Sequence, residues 1–354
     1  MHGIVQFSDP TRATSNGSHI NEQSRSLGAH LFGAPILSAL FGDAPLSFND
    51  AGINADEKKR VLAGAIANLR EYYVYPSVAQ EMISALLTHE RNGDYKNETD
   101  GEDFAALLTK HLQDVSHDRH LRLIYSAAEM PDRPTGPPEA DANFRSKLER
   151  DNCAFRKVEV LPHNIGYLKF DAFLPPSLCG STAAAAMQFL AHVDALIFDL
   201  RENHGGDPRM TSFMASYLFD RRTHLNDIYD QRDQSTEEFW TTQDIPGPRF
   251  GKKPVYVLTS AETFSGAEEF TYDLKNLKRA LIVGETTGGG AHLVMRHRID
   301  AHFTIGVPFA RPINPVSKTD WERTGVAPDV QVKSADALQV AEQLALRKLQ
   351  HQQQ

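Results

Sequence analysis

Cysteine, long hydrophobic runs and excess positive charge are all scarce in this sequence of 354 residues. Its two cysteines, Cys153 and Cys179, belong to no CxxC pair and to no spacing typical of metal ligands. A framework of several disulfides is therefore excluded, whereas a single bridge stays open if the two residues meet in space. Because one bridge is compatible with more than one compartment, cysteine usage does not decide between an exported and a cytoplasmic protein.

The net charge of −9 gives no reason to expect nucleic acid or an anionic membrane surface as a partner. No apolar run reaches the length of a membrane-spanning helix. The stretch from Leu27 to Phe41 is apolar and follows Arg25, as in a signal peptide, but it begins too late and a long polar segment precedes it. We interpret residues 1–50 as a poorly ordered or loosely docked leader, and the compartment stays unknown.

Residues 51–118 show the periodicity of amphipathic helices. Apolar residues recur every three to four positions in three stretches, which are separated by Pro76 and by the pair Asn92-Gly93. We therefore predict a small N-terminal bundle of three helices. No residue of this bundle points to a catalytic function.

Short β-type runs alternate with helical runs over residues 119–354. The strand-like runs include HLRLIY, FRKVEVL, IGYLKFDAF, ALIFDLR, VYVLTS and ALIVGE. Strands that alternate with helices predict βαβ units and a mostly parallel β-sheet covered on both faces. The fold class is therefore α/β, with the helical bundle as a smaller domain. The polar connection from Arg221 to Phe250 is predicted to be a long loop that borders an active site.

Ligands bind to such sheets beyond the carboxyl ends of the parallel strands. Three polar segments with glycine follow predicted strands there: ENHGGD at 202–207, TSAETFSG at 259–266 and TTGGG at 286–290. We expect them to converge at one edge of the sheet. Taken alone, the pair Gly205-Gly206 is more typical of a tight turn than of an anion-binding loop. The TTGGG segment lacks the lysine and the spacing of a phosphate-binding loop, which argues against a nucleotide cofactor.

Ser265 stands at the start of the predicted helix AEEFTYDLKNL. With Glu268 it matches a capping box, which is a purely structural role. The same position exposes a hydroxyl beside the free amides of the first helical turn, which suits a nucleophile and the oxyanion that it creates. Such a serine needs a base, and His120 is a candidate because it lies where the bundle meets the sheet. His292 and His297 have no acidic or cysteine cluster beside them, so no metal site is predicted.

Four segments together resemble the C-terminal-processing (tail-specific) serine peptidases. The stretch from VYVLTSAETFSGAEEF to ETTGGGAH is similar to the core motif of that family, and LIFDLRENHGGDP is similar to its strand and glycine loop. DRHLRL resembles the histidine segment, and TDWERTGVAPDVQV resembles the closing motif. The likeness extends from about Asp56 to Val332 and is strongest for the branch that contains the interphotoreceptor retinoid-binding protein modules. It implies a ClpP/crotonase-like core.

The resemblance also implies how the serine is activated. In the serine–lysine branch a lysine occupies the position that is Gly290 here, so that mechanism does not apply. The tricorn-like arrangement assigns Ser265 as the nucleophile, His120 as the general base and acid, and Glu322 as the group that supports the histidine. Tricorn-type enzymes carry a serine directly before the histidine, whereas this sequence has Arg119 there.

By the same resemblance, the amide of Gly266 and one amide of the Gly205-Gly206 loop form the oxyanion hole. The segment between Tyr125 and Phe155 contains the proline-rich stretch MPDRPTGPPEAD and is too short for the PDZ module of the processive relatives. We therefore expect no PDZ domain, and tail recognition is not part of the prediction.

The leading functional hypothesis is a serine peptidase that hydrolyses a peptide or protein substrate through an acyl-enzyme, with no metal and no other cofactor. The alternative is a non-catalytic carrier of retinoids or fatty acids, as in the vertebrate relatives that this sequence resembles. Esterase activity on small substrates needs the same site. A homo-oligomer is compatible with the sequence, which predicts neither the natural substrate nor the number of subunits.

Overall fold

The structure is a computed structural model that describes residues 52–130 and 142–352. The predicted leader over residues 1–50 and nearly all of the proline-rich stretch lie outside the described residues. The helices and strands of the described part are, in order, α1 (Ala55–Tyr72), α2 (Pro76–Asn92), α3 (Gly101–Ser116), β1 (Arg122–Tyr125), α4 (Ala142–Arg150), β2 (Phe155–Leu161), β3 (Ile165–Phe170), α5 (Pro176–Phe189), β4 (Ala195–Asp199), α6 (Pro208–Ser216), β5 (His224–Asp230), β6 (Ser235–Trp240), β7 (Val255–Thr259), α7 (Gly266–Asn276), β8 (Leu281–Gly284), β9 (Leu293–Arg298), β10 (Phe303–Ile313), β11 (Val330–Gln331) and α8 (Ala337–Gln352). None of the helices in these two ranges has the length and apolar character needed to cross a membrane.

The three helices predicted for the N-terminal bundle are present as α1, α2 and α3, and local sequence signals set their ends. The Asn54 side chain accepts hydrogen bonds from the first turn of α1, and Asp100 does the same for α3. Helix α2 begins with Pro76, a residue favoured in the first turn, and ends at Gly93 in the left-handed conformation (φ +79°). The division of the chain into domains at residues 118 and 119 stays a prediction.

A six-stranded sheet forms the centre of the larger part of the fold, in the order β11-β8-β7-β4-β3-β2. Strand β2 runs antiparallel to β3, and the other neighbours are parallel. One face packs against α5, α6 and α7, and the other packs against α8. Because both faces are covered, β4 and β7 are buried along their whole length. The predicted α/β fold with a mostly parallel sheet is confirmed.

The sequence patterns do not predict the second sheet, which is antiparallel. It has five strands in the order β1-β10-β5-β6, with β9 paired to β10. The hairpin of β5 and β6 lies between Arg221 and Phe250, so the prediction of a long loop in that segment is wrong. Strand β5 escaped detection because Asn226, Asp227 and Asp230 interrupt its apolar pattern, and these residue types are depleted in strands.

The helical bundle packs on one face of this antiparallel sheet. Leu123 of β1 belongs to the same buried apolar cluster as Phe303, Ile305 and Val307 of β10 and the core residues of α1, α2 and α3. His120 lies directly before β1, between the end of α3 and the sheet. The candidate base is therefore held at the junction between bundle and sheet.

Cys153 and Cys179 are both buried and form a disulfide bond that joins the turn before β2 to helix α5. The bridge spans a sequence separation of 26 residues and so restricts the unfolded chain. We expect the Cys153→Ser/Cys179→Ser variant to lose about 3 kcal/mol of unfolding free energy, measured by urea denaturation without reductant. Reduced wild-type protein is the control. Equal urea midpoints for the oxidised wild type and the double variant would contradict this structural role.

Candidate active site

Ser265 lies at the N-terminus of helix α7, beyond the carboxyl end of strand β7. Its backbone angles are φ +54° and ψ −122°, a conformation that is strained for a residue other than glycine. The loop before it is fixed to the end of β4. Phe264 N–H donates to the Asn203 carbonyl (3.0 Å), and the Thr263 hydroxyl donates to the Leu200 carbonyl (2.8 Å). These contacts hold Ser265 at a sharp turn from strand to helix, a geometry that presents a serine hydroxyl above a sheet.

The buried carboxylate of Glu268 connects this serine turn to the TTGGG segment. Its Oε2 accepts hydrogen bonds from the backbone N–H of Ser265 (2.9 Å) and of Gly290 (2.9 Å). Its Oε1 accepts from the backbone N–H of Gly289 (2.7 Å) and from the Thr287 hydroxyl. Burial raises the pKa of Glu268 to about 7, and the four donors oppose that rise. The sequence indicated only the capping box, whose glutamate half is present as the bond from Ser265 N–H, and missed the contact with the second loop.

The Gly205-Gly206 loop lies directly against the start of α7. A Cβ atom on Gly205 would come within 2.4 Å of the Gly266 nitrogen. One on Gly266 would come within 2.9 Å of the Gly206 nitrogen, so only glycine permits this close approach. The N–H of Gly205 is engaged, since it donates to the Asn203 side chain (2.9 Å). Within the described ranges, the N–H groups of Gly206 and Gly266 donate to no acceptor. Two unpaired amides therefore meet beside Ser265.

His120 is almost fully buried next to the serine turn. Its ring packs against the Phe264 ring with 4.6 Å between the ring centres, and its backbone N–H donates to Asp118 Oδ1 (3.0 Å). Burial lowers the pKa of the imidazole to about 4, so the ring is neutral near pH 7. Neither ring nitrogen has a hydrogen-bond partner among the residues that the structure describes. His120 thus lies beside the residue before Ser265, but no hydrogen bond joins it to the Ser265 hydroxyl.

Glu322 approaches His120. A carboxylate oxygen of Glu322, one of Asp118 and a ring nitrogen of His120 all lie within 4.8 Å of one another. Glu322 Oε2 accepts a hydrogen bond from Ala291 N–H (2.7 Å), while Oε1 has no partner in the described part of the chain. Burial raises the pKa of Glu322 to about 7. These three side chains have the ligand types for a metal ion, but both Asp118 oxygens already accept hydrogen bonds that an ion would have to displace.

A buried pair of Asp118 and His292 completes the site, and the sequence did not reveal it. His292 Nδ1 lies 2.6 Å from Asp118 Oδ2 and 3.6 Å from Glu322 Oε2. The Tyr73 hydroxyl also donates to Asp118 Oδ2 (3.3 Å). Burial would raise the pKa of Asp118, but the hydrogen bonds and electrostatic interactions with His292 and His120 together outweigh burial and hold that pKa below its usual range. Burial would lower the pKa of His292, and Asp118 reverses this and raises it. The lowered pKa of Asp118 and the raised pKa of His292 each favour the charged form. The two residues therefore form an ion pair next to the candidate base.

Arg119 occupies the position at which tricorn-type enzymes carry a serine. Its Nη1 donates to the Gly288 carbonyl (2.8 Å), and its guanidinium lies 5.0 Å from the centre of the Phe264 ring. A side chain on Gly288 would collide with both groups. Arg119 therefore holds the TTGGG segment against the residue that precedes Ser265.

Comparison with known protein families finds two matching domains in the chain. Residues 164–332 match peptidase family S41, and residues 56–162 match the N-terminal domain of that family in eukaryotic interphotoreceptor retinoid-binding protein. The chain therefore contains a peptidase family S41 domain, preceded by the N-terminal domain that accompanies it in interphotoreceptor retinoid-binding protein. The matched ranges include both the helical bundle and the sheet that carries Ser265.

Two curated relatives are similar to parts of the chain. Carboxyl-terminal-processing peptidase 2 of Arabidopsis thaliana, a chloroplastic protein, is 29% identical over 167 residues, which are 47% of this chain and 31% of the relative. Carboxyl-terminal-processing peptidase 3 of the same plant is 26% identical over 208 residues, 54% of this chain and 38% of the relative. The chain thus spans about a third of the length of these relatives.

Solved structures share the fold at low sequence identity. A Parabacteroides merdae protein provisionally described as a peptidase has a TM-score of 0.55 at 18% identity, covering 82% of this chain and 96% of that one. The tricorn protease has a TM-score of 0.51 at 13% identity, covering 84% of this chain and 37% of that one. At these identities the likeness supports the fold alone.

Proposed function

We propose that this protein is a serine peptidase in which Ser265 attacks the peptide carbonyl carbon and forms an acyl-enzyme. One observation carries the proposal: the N–H groups of Gly206 and Gly266, both unpaired within the described ranges, lie beside a strained serine at a helix N-terminus. Donors fixed in this way stabilise the charge that develops on the carbonyl oxygen, usually the largest single contribution to catalysis. A serine that only caps a helix has no need of two unpaired amides.

His120 is the general base and acid in this proposal. It accepts the proton of the Ser265 hydroxyl as the serine attacks, and it donates that proton to the amine that leaves when the tetrahedral intermediate collapses. Water, activated by the same ring, then attacks the acyl carbon and regenerates the serine. The reaction requires a hydrogen bond between Ser265 and His120. Substrate binding can complete that bond, since catalytic hydrogen bonds are often long in ligand-free enzymes.

The protonated form of His120 needs a neighbouring negative charge, because burial strongly disfavours an imidazolium ion. Among the described residues, the carboxylates of Asp118 and Glu322 lie close to the ring. Asp118 is already neutralised by His292, whereas one oxygen of Glu322 has no partner among the described residues. Glu322 is therefore the group that stabilises the imidazolium.

We expect kcat/KM for peptide hydrolysis to rise with pH through a midpoint near the pKa of Glu322, which burial raises to about 7. Below that pH Glu322 is neutral and cannot stabilise the imidazolium, and above it the charge is present. The His120 ring, with its pKa lowered by burial to about 4, stays in the free-base form across this range. Glu322→Gln is expected to be roughly 10- to 100-fold less active and to lack this rise. A pH profile of Glu322→Gln that keeps the wild-type midpoint would contradict the role.

A carrier of retinoids or fatty acids is the competing function, and it rests on the match of residues 56–162 to a domain of interphotoreceptor retinoid-binding protein. Such ligands need a mostly apolar pocket. A cleft of about 460 Å³ between α3 and β1 is instead lined partly by charged side chains such as Glu102 and Asp114. The large apolar side chains exposed on the described surface lie on separate parts of the fold: Leu87, Val160, Phe189 and Val316. These features favour the peptidase.

Hydrolysis of casein and of quenched fluorescent peptides by the purified wild type tests the proposal, with the products identified by mass spectrometry. New amino termini in the products support cleavage of peptide bonds. Cleavage of p-nitrophenyl esters without any peptide product would assign an esterase instead. Binding of retinol or oleate at micromolar concentration, together with a complete lack of hydrolysis, would assign a carrier.

A further inference from the structure

Two arginines project side by side from the antiparallel sheet. Across the neighbouring strands β1, β10 and β9, Arg122 pairs with Gly306, and Gly306 pairs with Arg296. Residues directly opposite one another share a face, so both arginines point away from the helical bundle, which packs against Leu123 and Ile305. Gly306 adds no side chain between the two arginines, whose Cα atoms are roughly 10 Å apart across the three strands.

Arg119 connects these two arginines to the candidate active site. Arg122 Nε donates to the Arg119 carbonyl (3.1 Å), and Arg119 in turn contacts the TTGGG segment and the Phe264 ring. Both Arg122 and Arg119 add to the lowering of the pKa of His120 that burial dominates, which places their charges near the ring. The three residues Arg119, Arg122 and Arg296, named the arginine trough below, extend from the rim of the site across the sheet.

The arginine trough has no acidic partner in the part of the chain that the structure describes. Arg119 and Arg122 donate to carbonyl oxygens, and Arg296 has no hydrogen-bond or ion-pair partner there. All three side chains are exposed. This arrangement is unusual for a chain with 46 acidic and 37 basic residues, in which Arg156 and Arg201 pair with aspartates. Adjacent like charges repel one another, so an anionic ligand would relieve the repulsion.

We propose that the arginine trough binds acidic side chains of the peptide substrate and gives this protein a preference for acidic segments near the cleaved bond. The inference rests on the proposed peptidase function. Guanidinium groups bind carboxylates through two parallel N–H···O hydrogen bonds, which a neutral amide cannot reproduce. A cluster of one charge beside a cleft also attracts ligands of the opposite charge and raises their association rate.

Binding to the inactive Ser265→Ala variant tests the trough independently of catalysis. The probes are a fluorescein-labelled peptide with several glutamates and the same peptide with glutamine at those positions. By fluorescence anisotropy we expect the glutamate peptide to bind at least about tenfold more tightly at low salt, and we expect this preference to shrink as salt is added. Introducing Arg122→Gln and Arg296→Gln into the Ser265→Ala variant is expected to remove most of the preference for the glutamate peptide. Arg347→Gln, an exposed arginine on α8, is the matched control and is expected to keep it.

Equal affinity for the two peptides would overturn the inference, and so would a preference that survives the loss of both Arg122 and Arg296. Arg296→Gln alone is not expected to disturb folding, because the side chain is exposed and has no partner in the described ranges. Wild-type hydrolysis of the same peptides keeps the two proposals apart. Selective binding without hydrolysis would contradict the proposed peptidase function but support a binding site for acidic peptides. Hydrolysis without selectivity would contradict only the proposed role of the arginine trough.

Discussion

The Ser265→Ala variant is expected to hydrolyse peptides at least about a thousandfold more slowly than the wild type, with an almost unchanged melting temperature. The substitution removes the oxygen that we propose as the nucleophile but keeps the helix N-terminus and the two amides, so we expect only slow attack by water to remain. Folding is expected to persist, since alanine at φ +54° carries strain similar to that of serine and lacks only a half-buried hydroxyl.

The matched control for this variant is Ser77→Ala, which alters an exposed serine on α2. Rates and melting temperature of the control are expected to equal those of the wild type. Initial rates with a quenched fluorescent peptide and thermal denaturation followed by circular dichroism provide both readouts. A rate of peptide hydrolysis by Ser265→Ala within tenfold of the wild-type rate would contradict the proposal that Ser265 is the nucleophile. A large fall in melting temperature would instead make Ser265 a structural cap.

Replacing Glu268 by alanine is expected to lower the unfolding free energy by about 3–5 kcal/mol and to abolish hydrolysis. The buried carboxylate accepts the N–H groups of Ser265, Gly289 and Gly290, and alanine would leave all three donors without an acceptor. The serine turn and the TTGGG segment would lose their common anchor. Urea denaturation followed by circular dichroism measures the loss of stability.

Two further variants separate charge and shape at this position. Glu268→Gln keeps one acceptor oxygen but turns an NH₂ group toward backbone donors, so we expect a loss of about 1–3 kcal/mol. Glu262→Ala alters an exposed glutamate of the same turn and is expected to change stability by less than about 0.5 kcal/mol. A Glu268→Ala protein as stable as Glu262→Ala would show that the carboxylate does not anchor the two loops.

The parallel sheet could be predicted from the sequence, whereas the antiparallel sheet could not. Strands such as β4 and β7 are apolar along their whole length and alternate with helices, which is a local signal. Strand β5 carries Asn226 and Asp227, and β10 carries Gly306 and Pro308. These residue types are depleted in strands, so the local pattern of both segments is typical of a loop. These strands depend on partners far away along the chain, and a local pattern does not contain that information.

The candidate site likewise has features that the sequence predicts and features that only the folded structure shows. The position of Ser265 beside a glycine loop follows from the motif, because short-range spacing sets the strand, the turn and the helix. Which loop amide stays unpaired depends on Asn203, whose side chain accepts the N–H of Gly205 and leaves that of the next residue. The pair of Asp118 and His292 joins residues 174 positions apart, so only the folded chain reveals it. The roles of the candidate base and of its supporting carboxylate stay predictions.

Covalent labelling with a fluorophosphonate, followed by tandem mass spectrometry of the digested protein, tests the central claim most directly. We predict a single adduct on Ser265 in the intact wild type, faster labelling at pH 8 than at pH 5, and no adduct in Ser265→Ala. Preincubation with a cleavable peptide is expected to slow the labelling, because both reagents need the same hydroxyl. An adduct on another residue, or an unlabelled protein that still hydrolyses peptides, would contradict the claim that Ser265 is the nucleophile.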